Sequence, residues 1–338
     1  MHNQVYVCGT FYHLFIAILH SRPCRAAGAR TLLLLQDFTP SLQPYAERLR
    51  EEGWFDHVET LPVIAAIDPA YRRTSAWAKA FRRNRLITRV VEAHFDRSGY
   101  RAFLEQADIN LFFCLGLSSA YFVAAFPHLH IRMLEDGERN YRTRLGALKV
   151  LKRRYLYRSF IGDGRDPAVR AIHVQQPERL PAAVRHKGVR LDVPGMVADL
   201  PEAERQRLAG LFLGNSPLPA GKGGLLLITQ PLSEDRFVDE ATKIGFYKDI
   251  LAAHAQGSDV YVKPHPREET DYAAHLGEAV HVLPKDFPLE ILDFLPGVRF
   301  DRGVTIWSSA LNNLACVDHK VFLGVDYDPR LVPKTRFL

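Results

Sequence analysis

Short apolar runs that end in a turn and lead into a helical pattern recur along this chain, and they limit the folds it can adopt. A buried strand is predicted over Gln4 to Cys8 and a helix over Phe11 to His20, with Gly9-Thr10 as the turn between them. The cycle restarts at Thr31 to Leu35. Because a strand, a helix and a second buried strand are typical of parallel sheets, the sequence predicts an α/β fold.

The rest of the chain repeats this alternation in two series. The first continues with strands at His57 to Leu61, Ile109 to Cys114 and His130 to Leu134, and helices at Pro44 to Glu52, Ser75 to His94 and Ser118 to Phe126. The second has strands at Leu225 to Thr229, Val260 to Val262, Val280 to Leu283, Val304 to Trp307 and Val321 to Val325, and helices at Asp239 to His254, Leu289 to Phe294 and Ser309 to Cys316. Prolines and a glycine-rich run mark residues 177–223 as a connection. We therefore expect two Rossmann-like domains, residues 1–176 and 224–338, that face a cleft.

Composition indicates a globular protein with an anionic partner. The 338 residues are 47% hydrophobic and 24% charged, with a formal net charge of +6. This charge is compatible with a nucleic acid, a phosphorylated substrate or an acidic membrane surface. The N-terminal residues lack a signal-peptide pattern, so we expect a cytoplasmic protein. Reduced thiols are expected at four cysteines without zinc spacing, Cys8, Cys24, Cys114 and Cys316.

Polar side chains follow five of the predicted strands. Because the carboxyl ends of parallel strands share one edge of a sheet, where α/β folds bind ligands, we expect the clusters to outline a site. The clusters are Gly9-Thr10, Glu135-Asp136-Gly137, Gln230 to Asp235, His265 and Ser308-Ser309.

The segment from Lys263 to Arg267 is the most constrained of these clusters. His265 stands between two prolines, whose fixed φ and missing N–H predict a rigid turn. Lys263 and Arg267 add two positive charges, so we expect this segment to bind an anionic ligand. A loop histidine without a functional role is the alternative interpretation.

Two further clusters have both a functional and a structural interpretation. Ser308 and Ser309 open a predicted helix, where hydroxyls and free N–H groups can hold a phosphate, although serine is also a common N-cap. Glu135-Asp136-Gly137 is either an acidic turn or the site of a general base at Asp136. The residues alone leave both questions open.

Motifs for several other chemistries are missing. Neither G-x-x-x-x-G-K-[ST] nor G-x-G-x-x-G occurs, which disfavours nucleoside triphosphate hydrolysis and dinucleotide oxidoreduction. Asp326-Tyr327-Asp328 imitates a metal-binding D-x-D but is followed by proline, so a turn is the preferred interpretation. We expect no metal and no cofactor.

Two segments rich in Lys and Arg contain no acidic residue. Arg72 to Val91 has seven cations, with Trp77 and Phe81 one turn apart, and Arg142 to Arg158 has seven more. One interpretation is peripheral contact with an anionic membrane, at the inner membrane of a bacterium, and the other is a solvated helix face. Nucleic acid is disfavoured because no recognised RNA-binding motif occurs.

The order of the motifs resembles that of the bacterial lipooligosaccharide sialyltransferases, which are related to the bacterial polysialyltransferases. The resemblance covers about Ile131 to Leu311 and rests on Glu135-Asp136-Gly137, Ile228-Thr229-Gln230-Pro231 with Glu234-Asp235, Lys263 to Glu268, Pro288-Leu289-Glu290 and Ser308-Ser309. It implies an inverting, metal-independent GT-B-type enzyme that transfers sialic acid from CMP-sialic acid to a surface glycan such as lipooligosaccharide or capsule. The first domain would take the acceptor, the second the nucleotide sugar, and a homodimer is implied.

The resemblance also implies catalytic roles. Asp235 matches the proposed general base, with Glu234 as its rival on the same loop. Asp136 matches the base of related sialyltransferase families, so two candidates compete for one role. His265 matches the histidine that contacts the departing phosphate.

The remaining matches concern the donor. Ser308 with Ser309 matches a phosphate-binding helix start, and Glu290 matches a residue that holds the ribose. Lys263 or Arg267 is expected at the donor carboxylate from its charge alone, and the donor-side motifs also contain Gln230 and Pro266.

Two rival functions stay open. One is a UDP-hexose-dependent glycosyltransferase of the same fold, because the family that the chain resembles also contains glucosyltransferases. The other is a non-catalytic module that binds an anionic glycan or a nucleic acid. Within the leading hypothesis, the sugar carried on CMP is either sialic acid or another nonulosonic acid.

Overall fold

A computed structural model describes residues 2–95, 98–112, 116–126, 130–141, 146–152, 164–214, 223–277 and 279–331. The chain divides into two compact units, Met1–Leu200 and Pro201–Leu338. Each unit has its own parallel sheet and its own apolar core. No helix within the described ranges is long and apolar enough to cross a bilayer.

The first unit is built on seven parallel strands. They are β1 (Asn3–Cys8), β2 (Thr31–Gln36), β3 (His57–Leu61), β4 (Ala107–Phe112), β5 (His130–Leu134), β6 (Val169–Val174) and β7 (Gly188–Arg190). The strand order is β3-β2-β1-β4-β5-β6-β7. Every residue of β2 and β4 is buried, as expected for central strands covered on both faces.

Nine α-helices are described in the first unit: α1 (Phe11–Ala26), α2 (Tyr45–Glu51), α3 (Asp68–Arg72), α4 (Ala76–Phe81), α5 (Arg83–Glu92), α6 (Arg101–Leu104), α7 (Leu117–Ala125), α8 (Ala147–Leu151) and α9 (Val193–Ala198). Shorter helical turns lie at Pro40–Leu42, Val63–Ile67, Ser98–Tyr100, Glu138–Tyr141, Pro177–Arg179 and Arg185–Lys187. Thr10 starts α1, because its hydroxyl accepts the N–H of His13 at 3.1 Å.

The second unit has five parallel strands, β8 (Leu225–Ile228), β9 (Val260–Lys263), β10 (Val280–Val282), β11 (Phe300–Thr305) and β12 (Val317–Phe322). Their order is β10-β9-β8-β11-β12. The helices are α10 (Glu202–Leu213), α11 (Glu240–His254) and α12 (Tyr272–Leu276), with 3₁₀ helices at Leu289–Phe294 and Ser309–Asn313. The prediction of an α/β protein with two Rossmann-like units is confirmed.

The looser segment between the two series contains regular structure. Of residues 177–223, the part that forms β7 and α9 belongs to the first unit, and α10 belongs to the second. The strands β6 and β7 were not predicted.

Several predicted boundaries are wrong. The helix expected over Ser75 to His94 is two helices, because Arg82 has a non-helical φ of −127° and its side chain lies over the Trp77 ring. The last strand is Val317–Phe322, and the strand expected at Val304 to Trp307 is Phe300–Thr305.

The two last predicted helices, from Leu289 and from Ser309, are 3₁₀ helices. The second of them ends at Asn313, because the N–H groups of Ala315 and Cys316 donate to the Asp293 carboxylate. Cys114 and most of the basic segment Arg142 to Arg158 lie outside the described residues.

Candidate functional site

Three neighbouring strands of the second unit end in one row. The sheet register pairs Ile228 of β8 with Lys263 of β9 and with Thr305 of β11. The loops 229–235, 264–268 and 306–309 therefore begin side by side. The strand order reverses between β8 and β11, which is where open α/β sheets bind their ligands. Of the predicted residues, Gln230, His265 and Ser308 are thus brought to one edge.

The turn that carries His265 is fixed by two hydrogen bonds. The N–H of His265 donates to Oε2 of Glu268 at 2.6 Å, and the N–H of Arg267 donates to Nδ1 of His265 at 3.1 Å. An imidazole nitrogen that accepts a hydrogen bond carries no proton, so the ring proton resides on Nε2. Burial, with the nearby cations of Arg267 and Lys263, lowers the pKa of His265 to about 4. At neutral pH the ring is therefore an uncharged donor through its Nε2–H.

Glu268 is the buried acceptor that organises this turn. Glu268 is 2% exposed, and its carboxylate accepts hydrogen bonds from the hydroxyls of Thr229 and Tyr272 and from the N–H of His265. Burial raises the pKa of Glu268 despite these donors. Because Thr229 follows β8 and His265 follows β9, one carboxylate joins two neighbouring loops.

The fully buried Lys243 also stabilises the His265 turn, through its contact with Glu268. Nζ of Lys243 lies 3.0 Å from carboxylate oxygens of both Glu234 and Glu240 and 3.8 Å from Oε1 of Glu268. A buried cation is stable only when its charge is paired, and here three carboxylates supply the pairing. Lys243 thus links α11 to the loops after β8 and β9.

Asp235, the predicted base, is held in a bidentate ion pair. The guanidinium of Arg267 donates to Oδ1 at 2.6 Å and to Oδ2 at 2.9 Å. The two side chains are 31% and 48% exposed. Exposed pairs contribute only about 0–1 kcal/mol, so this pair can exchange with other partners at low cost.

Glu234, the rival base, is tied into the lysine cluster. Its Oε1 accepts the N–H of Glu269 at 3.0 Å and a hydrogen bond from Lys243. Burial acts to raise the pKa of Glu234, but the Glu269 N–H and Lys243 outweigh it and hold that pKa below its ordinary value. Glu234 therefore supports the loop as an ionised acceptor.

Two predicted donor-binding residues point into the protein. Nζ of Lys263, in a side chain 2% exposed, donates to the carbonyls of Pro264 and Lys285 at 2.8 and 2.9 Å, and burial lowers its pKa to about 7. Gln230 is 6% exposed, and its Oε1 accepts the N–H of Trp307 at 3.0 Å. Both side chains hold loop backbone, whereas the sequence placed them at the donor. Pro266 is half-buried in the His265 turn.

The serine turn lies next to the buried Glu290. The N–H of Ser308 donates to Oγ1 of Thr305 at 3.2 Å, and both serines are half-buried. Nδ2 of Asn313, on the 3₁₀ helix that Ser309 opens, donates to Oε1 of Glu290 at 3.4 Å. Because this helix has five residues, it offers a smaller dipole than the predicted α-helix.

Asp136 of the first unit is paired with a histidine that the sequence did not single out. Nε2 of His13 donates to Oδ1 of Asp136 at 2.6 Å, while Nδ1 accepts the N–H of Gly9 at 3.2 Å. The His13 ring stacks on Phe112 with centroids 4.1 Å apart, so its orientation is fixed. The structure thus brings the Gly9-Thr10 turn and Asp136 together, through α1.

The two acidic residues of that turn differ in their burial and contacts. Glu135 is buried and accepts hydrogen bonds from Tyr141 and Gln175, so it is part of the interior. Gly137 has a φ of +83°, the left-handed conformation expected at this position. Asp136 alone of the pair faces outward beside His13, with a side chain 14% exposed.

Metal-binding geometry is not found among the described residues: no group of three or more His, Cys, Asp or Glu side chains could hold an ion. In the D-x-D segment, Asp328 accepts two hydrogen bonds from the Arg330 guanidinium.

Comparison with protein families identifies the chain. Residues 114–325, more than half of its length, match the model of glycosyltransferase family 52. The chain belongs to glycosyltransferase family 52. This is a family of bacterial sialyltransferases, so the resemblance inferred from the motif order is confirmed. The relation to polysialyltransferases stays a prediction.

Individual relatives extend the comparison. The family 52 chain is 30% identical over 206 residues to an uncharacterized protein of Haemophilus influenzae, covering 60% of the chain and 64% of that relative. Its structure is similar to an alpha/beta-galactoside alpha-2,3-sialyltransferase from Photobacterium phosphoreum, with a TM-score of 0.54, 13% identity, and 98% and 94% of the two chains covered. At that identity the likeness shows the fold, a GT-B-type pair of Rossmann-like units. UDP-GlcNAc 2-epimerase from Neisseria meningitidis has a TM-score of 0.47 and 9% identity over 91% of this chain and 78% of its own.

Three residues of the family 52 chain escaped prediction from sequence. His13 gives no local signal, because its partner Asp136 lies 123 positions away. Glu268 was part of a motif without a role of its own. Lys243 had a usable signal: it occupies the buried stripe of α11 together with Phe246, Tyr247 and Ile250, where a cation requires a buried partner.

Proposed function

We propose that this family 52 chain transfers sialic acid, or a related nonulosonic acid, from its CMP-activated donor to a hydroxyl of a bacterial surface glycan such as lipooligosaccharide or capsule. The transfer inverts the anomeric centre and uses no metal ion. The observation that carries the proposal is the His265 turn, whose neutral Nε2–H donor belongs to the same sheet edge as the serine turn, one strand from the reversal of the strand order. Family membership supports the sialyl donor.

The leaving group is the phosphate of CMP. The bond between the anomeric carbon and the phosphate oxygen breaks, and its electron pair leaves with CMP. The Nε2–H of His265 and the hydroxyls of Ser308 and Ser309 donate hydrogen bonds to the oxygens on which charge develops. The phosphodiester of the donor becomes the phosphate monoester of CMP as it leaves, and hydrogen-bond donors meet the charge that it gains without the divalent cation that a diphosphate recruits. Glu290, on the segment bonded to Asn313, holds the ribose.

The donor carboxylate provides a reason for the Arg267 ion pair. Sialic acid carries its carboxylate on the reacting anomeric carbon, and a guanidinium binds carboxylates through two parallel hydrogen bonds. We propose that Arg267 exchanges Asp235 for the donor carboxylate when the donor binds. Asp235 then has its oxygens available next to the reacting carbon, where it accepts the proton of the acceptor hydroxyl as the new carbon–oxygen bond forms.

Asp136 is the rival base. The hydrogen bond from His13 fixes the orientation of the Asp136 carboxylate, as a positioned base requires. Substitution separates the two candidates. Asp235→Asn should lower kcat by about 100- to 10,000-fold and change CMP affinity by less than about threefold. If Asp136→Asn has that effect and Asp235→Asn is active, Asp136 is the base.

A donor-hydrolysis assay tests the function itself. The protein should release CMP from CMP-sialic acid in the presence of EDTA, and His265→Ala should abolish most of that release. Release of UDP from UDP-glucose instead would assign the enzyme to UDP-hexoses. If neither donor is hydrolysed and neither nucleotide binds, a non-catalytic glycan-binding module becomes the better interpretation.

A further inference from the structure

Helix α4 carries two exposed aromatic rings, and exposed arginines lie next to them in sequence and on helix α5. The side chains of Trp77 and Phe81 are 57% and 67% exposed, and their ring centroids lie 5.8 Å apart. Aromatic side chains of this size bury most of their surface in ordinary packing, so two neighbouring exposed rings mark an interaction surface. We call Trp77, Phe81 and the exposed arginines around them the aromatic-basic patch.

The charge of this patch has one sign. Between Pro69 and Val91 the sequence has seven cations and no acidic residue. Helix α5 buries Ile87, Val90 and Val91. The exposed cations of the segment are Arg72, Arg73, Arg82, Arg85 and Arg89. Arg85 and Arg89 lie four residues apart on the solvent face of α5, and Arg82 directly precedes that helix.

Local contacts make the patch rigid. The hydroxyl of Tyr71 accepts a hydrogen bond from Arg83 at 2.9 Å, and the Tyr71 ring has Arg83 and Lys79 above it at 5.7 and 5.6 Å. Ser75 caps α4 by accepting the N–H of Ala78 at 3.2 Å. Arg83 and Lys79 thus hold the helices together, Arg82 lies over the Trp77 ring, and Arg72, Arg73, Arg85 and Arg89 are exposed to solvent.

We infer that the aromatic-basic patch binds the surface of an anionic lipid bilayer. Trp and Phe enter the boundary between headgroups and acyl chains, while arginines meet lipid phosphates, and the patch has both groups on adjoining helices. A purely electrostatic face would need no exposed tryptophan, and an apolar protein partner would not require five arginines without an acid. Charge complementarity therefore selects an anionic membrane as the occupant.

Vesicle binding of the full chain tests this inference. Sedimentation is measured with neutral phosphatidylcholine vesicles and with vesicles that also contain phosphatidylglycerol. At roughly fivefold per cation, the triple variant Arg82→Gln/Arg85→Gln/Arg89→Gln should bind the anionic vesicles about 100-fold more weakly. Added salt should weaken wild-type binding, because exposed charges are screened.

A spectroscopic measurement places the contact. Of the three tryptophans, Trp54 is buried, Trp307 is half-buried in the second unit, and Trp77 is the exposed one on the patch. The emission of the wild type should shift to the blue with anionic vesicles, and Trp77→Phe should bind similarly without that shift. The control Arg170→Gln/Arg190→Gln removes two exposed cations away from the patch, against three in the triple variant, and should bind like the wild type.

Three results would overturn the inference: equal binding to neutral and anionic vesicles, wild-type binding by the triple arginine variant, or an unshifted Trp77 in bound protein. CMP release in solution is measured separately, so loss of either property is distinguishable from loss of the other. Thermal unfolding of each variant shows whether it is folded.

Discussion

The guanidinium of Arg267 donates to both carboxylate oxygens of Asp235, and the backbone N–H of the same arginine donates to Nδ1 of His265. One residue thus connects the proposed base to the proposed leaving-group donor. The ion pair is partly exposed and hence weak, whereas the backbone contact is part of a rigid turn. A change at the Arg267 side chain should therefore affect donor recognition and leave the turn intact.

The first prediction concerns that side chain. Arg267→Met should raise the KM for CMP-sialic acid by about 10- to 100-fold, because the bidentate hydrogen bonds to the donor carboxylate are lost. Free CMP has no such carboxylate, so its affinity should stay within about threefold of wild type. Steady-state kinetics and CMP titration measure the two quantities. Equal losses for donor and CMP would show that Arg267 acts on the nucleotide or on the turn.

The second prediction concerns the tautomer of His265. His265→Ala removes a donor to the departing phosphate and should lower kcat by about 100- to 1,000-fold. His265→Gln retains an N–H near the position of Nε2 and should recover part of that loss.

The pH profile distinguishes a neutral donor from a proton donor. With a pKa of about 4, His265 stays neutral between pH 5 and 8, so it should add no limb to the rate profile in that range. A limb near pH 6.5 that disappears in His265→Gln would contradict the assignment.

The third prediction tests the partnership of His13 and Asp136. His13→Phe keeps the stacked ring but removes the donor to a carboxylate only 14% exposed, so the free energy of unfolding should fall by about 1–3 kcal/mol. His13→Gln can restore a donor and should regain much of that stability. Chemical denaturation measures both variants. In the Asp136→Asn background, His13→Phe should lower the free energy of unfolding by a smaller amount. An equal loss in both backgrounds would mean that the hydrogen bond between His13 and Asp136 contributes nothing to stability.

The fourth prediction uses the buried amine of Lys263. Burial lowers its pKa from 10.5 to about 7 in the folded protein, so between pH 7 and 10.5 the unfolded chain binds more protons than the folded one. Stability must therefore rise with pH in that window, and Lys263 should contribute about 2 kcal/mol of rise between pH 7 and 9.

Lys263→Met is the control for this pH dependence, because its side chain has similar length and no titrating group. The variant should lack the contribution of Lys263 when denaturant unfolding is compared at the two pH values. An identical rise in wild type and variant would show that the amine is protonated in the folded state.

The fold was predictable because its determinants are local in sequence. Continuous apolar runs such as Leu32 to Leu35 occur in strands covered on both faces, and the helical pattern after each run leaves a parallel sheet as the simple solution. The ends of predicted strands also identify loops that share an edge of the sheet, so the sequence predicts that Gln230, His265 and Ser308 lie at one edge.

The roles of individual side chains were harder to predict because they depend on tertiary contacts. Charge alone placed Lys263 at the donor, yet its strand position points into the core, where two carbonyls and the Phe287 ring receive the amine. His13 and Asp136 meet only because β1 and β5 lie on either side of β4 in the sheet. Such juxtapositions follow from strand order, which the pattern of one chain does not specify.

The shared row of Ile228, Lys263 and Thr305 has a consequence for how this enzyme family can diversify. Each of the three loops is anchored by the hydrogen-bonded ladder at its first residue, independently of its length. Residues inserted beyond Gln230 therefore extend outward without displacing the starting point of the His265 turn. The length of the loop after β8 can therefore change without moving the first residues of the loops after β9 and β11.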